Sequence, residues 1–331
     1  MSAMKIWMVR TLLKNTTLIM FVLLFIGFGM LAPKFLNLQN FEIILSNASY
    51  AGIIAIGMTF VLLTGGIDLS VGSIMYVSAV VTGLVVNDAG LPVSVGLAAG
   101  LLVGLAFGIF NAIVITGFGI PPFIATLVTM IAGRGLGLLI TKSAAVDFPD
   151  QITELSSLRL GGVLQLNILI FVLVVVAATV FLSFTPSGRR LYAVGNDVDA
   201  AHKAGVKTQR IIASTYIVSG LCAALAGFVS ISQLGRVTAG FGTGSEFAAI
   251  AAAVLGGASL FGGVGTAFPG TVLGTIMIQM IQAGLVFVNV DIYLQPIVLG
   301  GIIFFAVFVD SFRNVQLKKL GRRNIMRLSD L

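Results

Sequence analysis

Apolar residues fill this chain in long stretches separated by short polar turns. A membrane-spanning helix needs about 20 apolar residues, and ten stretches approach that length: Thr16 to Ala32, Ile43 to Thr64, Val71 to Val86, Pro92 to Thr116, Phe123 to Thr141, Val163 to Phe184, Ile211 to Leu234, Phe247 to Phe261, Phe268 to Val288 and Ile292 to Val309. The pattern predicts an all-α, polytopic transmembrane helical bundle of about ten spans. The first stretch is expected to be a retained helix, because no small-residue cleavage pattern follows it. Residues 1–15 then form an N-terminal segment, residues 16–310 a single transmembrane domain with a polar loop at 185–210, and residues 311–331 a basic tail.

Composition agrees with the pattern. Hydrophobic residues make up 58% of the chain and charged residues 9%, against about 25% charged in a soluble domain. The solvent of such a chain is lipid. Forty glycines without a G-X-Y period exclude collagen, and glycine inside apolar runs fits membrane helices. The one cysteine, Cys222, can form no disulfide within the chain and reads as a small buried hydrophobe.

Charge sets an orientation. A net charge of +7 could suggest nucleic acid, but the basic residues cluster by segment: Lys5, Arg10 and Lys14, then five between Arg189 and Arg210, then six from Arg313 to Arg327. An even number of spans puts these 14 on one side, which the positive-inside rule makes cytoplasmic. Both termini are therefore expected in the cytoplasm. The opposite side receives Lys34, Lys142, Arg159 and Arg236, with the acidic Asp147, Asp150 and Glu154.

Three polar constellations interrupt the apolar runs. In TGGIDLSVGS, Thr64 to Ser73, an aspartate at the centre of a membrane helix would cost about 2.5–3.5 kcal/mol on insertion scales. Asp68 must face protein, water or a helix start, either capping the following helix or bordering a transport path or gate. In GTGSEFAAIAAAVLGGASLFGGVG, Gly242 to Gly265, Ser245 or Thr243 is the expected cap, with Glu246 in the first turn. Its small residues favour close helix packing or a broken helix beside the path. The loop from Pro186 to Arg210 is expected to hold one short helix, Asp199 to Ala204, ended by Gly205. The adjacent Ala200 and Ala201 would offer a smooth face to a partner.

Other polar residues carry less. Asn111, Gln279 and Gln282 lie within apolar runs and either border a transport path or bond neighbouring helices, the commoner use. Arg134 lies at the membrane edge or inside, where it would need an acidic partner. His202 has no second ligand at metal spacing, so no metal site is expected. A weak internal echo aligns Gly65–Gly72 with Gly256–Gly263 as GGx[DS]LxxG, a possible mark of repeated halves.

Four strings, in order, resemble the ribose-type carbohydrate permeases of bacterial ABC importers: GMTFVLLTGGIDLSVGS (Gly57 to Ser73), PPFIATLVTMIAGRG (Pro121 to Gly135), GRRLYAVGNDVDAAHKAGV (Gly188 to Val206) and GTGSEFAAIAAAVLGGASLFGG (Gly242 to Gly263). The resemblance spans about Phe35 to Asp310. Ala248 departs from it, since relatives commonly carry an acidic residue there. The stretch Asp199 to Gly205 also resembles the wider permease EAA loop, with Asp in place of Glu.

The resemblance implies the ABC importer permease fold, a second identical or related permease subunit, a cytoplasmic ABC ATPase and a periplasmic or lipid-anchored sugar-binding protein. The substrate would be a monosaccharide of the ribose, galactose or xylose type, or a polyol or nucleoside. Candidate pathway or gate residues are Asp68, Ser70, Asn111, Glu246, Ser259 and Gln279. Candidate ATPase-coupling residues are Arg189, Arg190, Asn196, Asp199, Ala200, Ala201 and Gly205. No Gly-Lys dipeptide occurs, so a GxxxxGK[ST] phosphate loop is absent and ATP must be bound by another chain. The chain needs no cofactor of its own and is not expected to be an enzyme. The rival reading is a secondary transporter coupled to an ion, for which Asp68 and Glu246 are the acidic candidates.

Overall fold

The structure is a computed structural model and describes residues 16–162, 164–301, 304, 305 and 308. The bundle is helical throughout, with four two-residue strands at one end. The helices are α1 (Thr16–Leu31), α2 (Leu38–Leu63), α3 (Val71–Gly83), α4 (Val93–Ala112), α5 (Pro122–Thr141), α6 (Asp150–Ser157), α7 (Leu166–Phe184), α8 (Pro186–Asn196), α9 (Val198–Lys203), α10 (Thr208–Leu234), α11 (Ser245–Leu255) and α12 (Val272–Phe287). Wider π turns continue α3 through Leu84–Asp88 and α4 through Ile113–Gly117, and another, Ala267–Thr271, leads into α12.

Among the described residues, seven helical stretches are long and apolar enough to cross a membrane, while α1 and α11 are shorter. Each of the first nine predicted spans corresponds to one of these elements, and the tenth, Ile292 to Val309, falls partly outside the described residues. The eighth prediction needs correction. Hydropathy suggested a span from Phe247 to Phe261, yet α11 has 11 residues, about 16 Å at 1.5 Å per residue, or half of the roughly 30 Å hydrocarbon core. The run looked longer because Gly256–Gly263 is apolar by composition while its glycines fold it into turns; Gly257 has φ +93° and Gly262 φ +90°.

Helix α10 is the central post and packs against α2, α3 and α4. Its contact with α4 is made backbone to backbone. Gly96, Gly100, Gly104 and Gly108 recur at four-residue spacing on α4 and are all buried; Gly96 and Gly100 lie against Thr82 and Ser78 of α3, while Gly104 and Gly108 lie against α10. A Cβ on Gly104 would overlap the Gly220 carbonyl, and one on Gly220 would overlap that of Gly104. Small residues at such a seam let membrane helices approach more closely than larger side chains allow. The main core gathers Ile53, Ile56, Met58, Leu62, Ile74, Tyr76, Val229 and Ile231, all at most 1% exposed.

The two ends of the bundle differ. At one, β1 (Val146–Asp147) pairs antiparallel with β4 (Arg236–Val237), and an exposed ion pair joins Arg236 to Asp147 at 3.1 Å. A small hairpin, β2 (Arg159–Leu160) with β3 (Leu164–Gln165), stands nearby. Arg159 reaches Glu42 near the start of α2 at 3.0 Å, and this partner raises the Arg159 pKa further above its ordinary value, through the hydrogen bond first and charge second. The opposite end carries α8 and α9.

Candidate transport site and coupling element

Two helices begin inside the bundle rather than at its ends. After α2 the chain turns at Gly65 (φ +75°) and runs back inward without helical structure to Asp68, and α3 begins three residues further on, at Val71. Asp68 is 0% exposed. Its Oδ1 accepts the Ser70 backbone N–H at 2.9 Å and the Ser70 hydroxyl at 2.5 Å, and its Oδ2 accepts the Ser219 hydroxyl at 2.7 Å. Ser219 lies 11 residues after the start of α10 and 15 before its end, about three and four turns respectively. The capping expectation was close: Asp68 satisfies an amide just ahead of α3, and Ser70 occupies the cap position itself.

The Asp68 turn extends into a chain of hydrogen bonds. Asn111 donates to the Ser70 hydroxyl at 2.9 Å, and Thr129 donates to the Asn111 carbonyl oxygen at 2.6 Å. Thr126, on the same helix, donates to the Ile67 carbonyl at 3.3 Å. Ser70, Asn111, Thr126 and Ser219 have no exposure and Thr129 has 2%. This network ties α3, α4, α5 and α10 around one carboxylate, and every member is buried inside the subunit.

The second internal helix start belongs to α11. From β4 the chain descends as an irregular segment, 238–244, until Gly242 (φ +74°) meets Gly72 on α3. A Cβ on either glycine would crowd the backbone of the other. Helix α11 then departs toward the α8 end, where the Thr17 hydroxyl donates to its last carbonyl, Leu255, at 3.1 Å. The N-termini of α3 and α11 thus meet inside the bundle and the helices leave in opposite directions. Each positive helix end has its own carboxylate, Asp68 and Glu246.

The predicted cap of α11 is corrected. Gly244 (φ +82°) is the cap residue and Ser245 is already helical, so neither Ser245 nor Thr243 caps. Instead the Glu246 side chain, 5% exposed, turns back to accept the Gly244 N–H at 3.2 Å. Arg134, thirteenth of the 20 residues of α5, lies over the Tyr76 ring at 5.0 Å. It donates to the carbonyls of Ala239 and Phe241 at 3.2 and 2.6 Å, holding the irregular segment by backbone oxygens, and the acidic neighbour expected of it is Glu246, near enough to act by charge.

The loop from Pro186 to Arg210 contains two helices where one was expected. Helix α8 stands where the polar composition predicts loop, although its start is signalled by Thr185-Pro186: Pro at the first helical position, and the Thr185 hydroxyl accepting the Gly188 N–H at 3.0 Å. Asp197 caps α9 by accepting the Ala200 N–H at 2.9 Å, and Gly205 (φ +82°) ends it. Arg189, Arg190, Asn196, Asp199 and Ala200 are exposed. Ala201 is not. It is 6% exposed and faces inward, because successive helical residues point about 100° apart. The two alanines therefore do not form one face.

Helix α8 is seated on the two glycine-rich turns. A Cβ on Gly195 would overlap the Leu63 carbonyl and crowd the Gly263 amide, and one on Gly262 would press on the Gly195 carbonyl. Gly263 N–H donates to Leu63 O at 2.9 Å, so the two segments of the internal echo lie against each other at this end. Tyr192 donates to the Gly265 carbonyl at 2.8 Å, and burial raises the pKa of its hydroxyl, keeping the donor proton in place. Ser259 stays local and accepts the Phe261 N–H at 3.1 Å. Gln279, 6% exposed, stands apart from all of this on α12, on the wall of a separate cleft.

A multi-spanning bundle with two helix starts buried inside it, and a polar helix pair on one end, has the organisation of a membrane transport permease. A family model described as the permease component of the branched-chain amino acid transport system matches residues 40–307, and the chain belongs to this family of ABC importer permeases. It is accordingly a multi-pass protein of the inner membrane. It is 35% identical over 316 residues to the autoinducer 2 import system permease protein LsrC of Yersinia enterocolitica, covering 93% of this chain and 87% of that protein. It is 37% identical over 309 residues to LsrC of Escherichia coli K12, covering 93% and 90%. The Photorhabdus laumondii LsrC is 35% identical over 305 residues, covering 92% and 91%. No solved structure matches.

Proposed function

We propose that this chain is the permease of an importer that carries a small, neutral, sugar-like compound, autoinducer 2 or a monosaccharide of the ribose type, driven by an ATPase on a separate chain. The observation that carries the reading is the seating of exposed α8 on the turns next to both internal helix starts. A push on α8 meets backbone at Leu63 and Gly263, with no flexible side chain between.

In this reading α8, α9 and both termini face the cytoplasm, and residues 16–310 act as one transmembrane domain. Arg189, Arg190, Asn196, Asp199 and Ala200 meet the ATPase, while Ala201 and Gly205 shape the helix that presents them. Asp68, Ser70, Asn111 and Glu246 hold the two internal helix starts and act as the gate, and Ser259 belongs to the turn beneath it. Gln279 is the member that touches substrate. A binding protein delivers the substrate at the β-strand end. A second permease subunit covers the irregular segment 238–244, where Thr238, Gly240 and Thr243 are exposed. Non-helical backbone at membrane depth is tolerated only against protein or water.

The test is ATP-dependent uptake of autoinducer 2 and of ribose by proteoliposomes holding the permease with its ATPase and binding protein. Uptake that requires ATP hydrolysis supports the reading. Uptake driven by a proton or sodium gradient with no ATPase present defeats it.

A further inference from the structure

A cavity lies away from the glycine turns, between α2, α12 and the segment 291–299. Its volume is about 650 Å³, within the range of small-molecule sites. Five of its lining residues are amides: Asn40 and Asn47 from α2, Gln279 and Gln282 from α12, and Gln295. Among the described residues, none that lines it is charged. Asn40 and Asn47 are two turns apart on one face of α2, and Gln279 and Gln282 are one turn apart on α12, so the amides line opposing walls.

The cleft reaches from the β-strand end to mid-depth. Asn40 is the third residue of α2, whereas Gln279 is the thirteenth of the 21 residues in the apolar stretch Ala267–Phe287. Two of the amides have partners inside the protein: Asn40 donates to the Phe35 carbonyl at 2.7 Å and Gln295 to that of Val290 at 3.2 Å. Among the described residues, Asn47, Gln279 and Gln282 have none. An amide facing hydrocarbon with no partner is strongly disfavoured. Helices that could carry leucine at these positions carry unpaired donors and acceptors instead.

We infer that this amide cleft receives the transported molecule and recognises it as a neutral compound bearing several hydroxyl groups. Each amide offers two donors and one acceptor oxygen, which matches hydroxyls that both give and take a proton. An ionic ligand would find no counter-charge here. Phe287 supplies an aromatic wall at the same cleft, suited to the C–H face of a ring. The inference rests on the importer reading for its choice of cargo. The opening of the cleft at the β-strand end suits delivery from that side.

The experiment uses the assembled importer in proteoliposomes. The double variant Asn47→Leu, Gln282→Leu keeps the helices apolar and is expected to lower autoinducer 2 uptake at least tenfold, with the amount of assembled complex unchanged. Asn47→Gln and Gln282→Asn, which keep the amides, should retain part of the uptake. Undiminished uptake by the double leucine variant overturns the inference. A second measurement is independent of cargo and of assembly with the ATPase. Gln282→Cys in a Cys222→Ala background is expected to react with a charged, water-soluble thiosulfonate. Reaction with a lipid-soluble maleimide alone would show a cleft filled by lipid and also overturn it. Should the unaltered importer move neither autoinducer 2 nor ribose, the importer reading fails, and the labelling still reports whether the cleft is aqueous.

Discussion

Gly195 on α8 rests directly on the main chain at Leu63, with no room for a methyl group between them. The neighbours are a carbonyl and an amide of other segments, neither of which can swing aside as a side chain would. Gly195→Ala must therefore displace α8 from the turns. Overpacking of this kind costs about 1–3 kcal/mol. A lowered unfolding temperature in detergent and a larger loss of ATP-driven uptake are expected, and wild-type values in both would show that the contact yields easily.

Asp68 accepts three hydrogen bonds with its two oxygens. Asp68→Asn leaves one oxygen to accept and turns the other position into a donor facing a hydroxyl or an amide. Stranding one buried partner costs about 1–3 kcal/mol. Ser219→Ala removes only one of the three and should cost less. Thermal unfolding of both variants checks the order, and equal losses would contradict the geometry.

Arg134 supplies the donors that a helix would otherwise supply to Ala239 and Phe241. Arg134→Met keeps an apolar stem but leaves both carbonyls without that donor. Faster hydrogen exchange confined to 238–244 is expected, with a stability loss of about 1–3 kcal/mol. Exchange that is unchanged in this segment would mean the guanidinium is incidental.

Ala200 and Ala201 should separate two effects. Ala200→Arg adds bulk to the exposed side of α9 and is expected to reduce copurification of the ATPase at least tenfold while the permease stays folded. Ala201→Trp forces a large ring into a buried site and should lower permease stability itself. Quantifying ATPase recovery alongside monodispersity in detergent distinguishes them, and identical behaviour of the two variants would remove α9 from the docking surface.

The long spans were legible because lipid imposes length and apolarity on any helix that crosses it, and α2, α7 and α10 obey both. Asp68 was legible for the opposite reason, a carboxylate where lipid forbids one. Helix α11 was not, since hydropathy counts apolar atoms and Gly256–Gly263 is apolar without being helical. Helix α8 was missed because a polar helix outside the bilayer lacks the hydrophobic signal; its evidence was the Thr-Pro start. The role of Arg134 was hidden more deeply, because its partners are backbone oxygens and every residue type carries those. The amide cleft showed only as isolated glutamines and asparagines, whose convergence depends on how α2 and α12 pack.

The α4–α10 seam has a mechanical consequence. Where helices mesh through large side chains, sliding one along the other requires each knob to leave its socket and change rotamer. At Gly104 and Gly220 there are no knobs to lift. The two rods meet there through main chain and the small Ala224 methyl, so no large side chain has to change rotamer for one to move past the other, and any shift of α10 would carry Ser219 and with it the grip on Asp68.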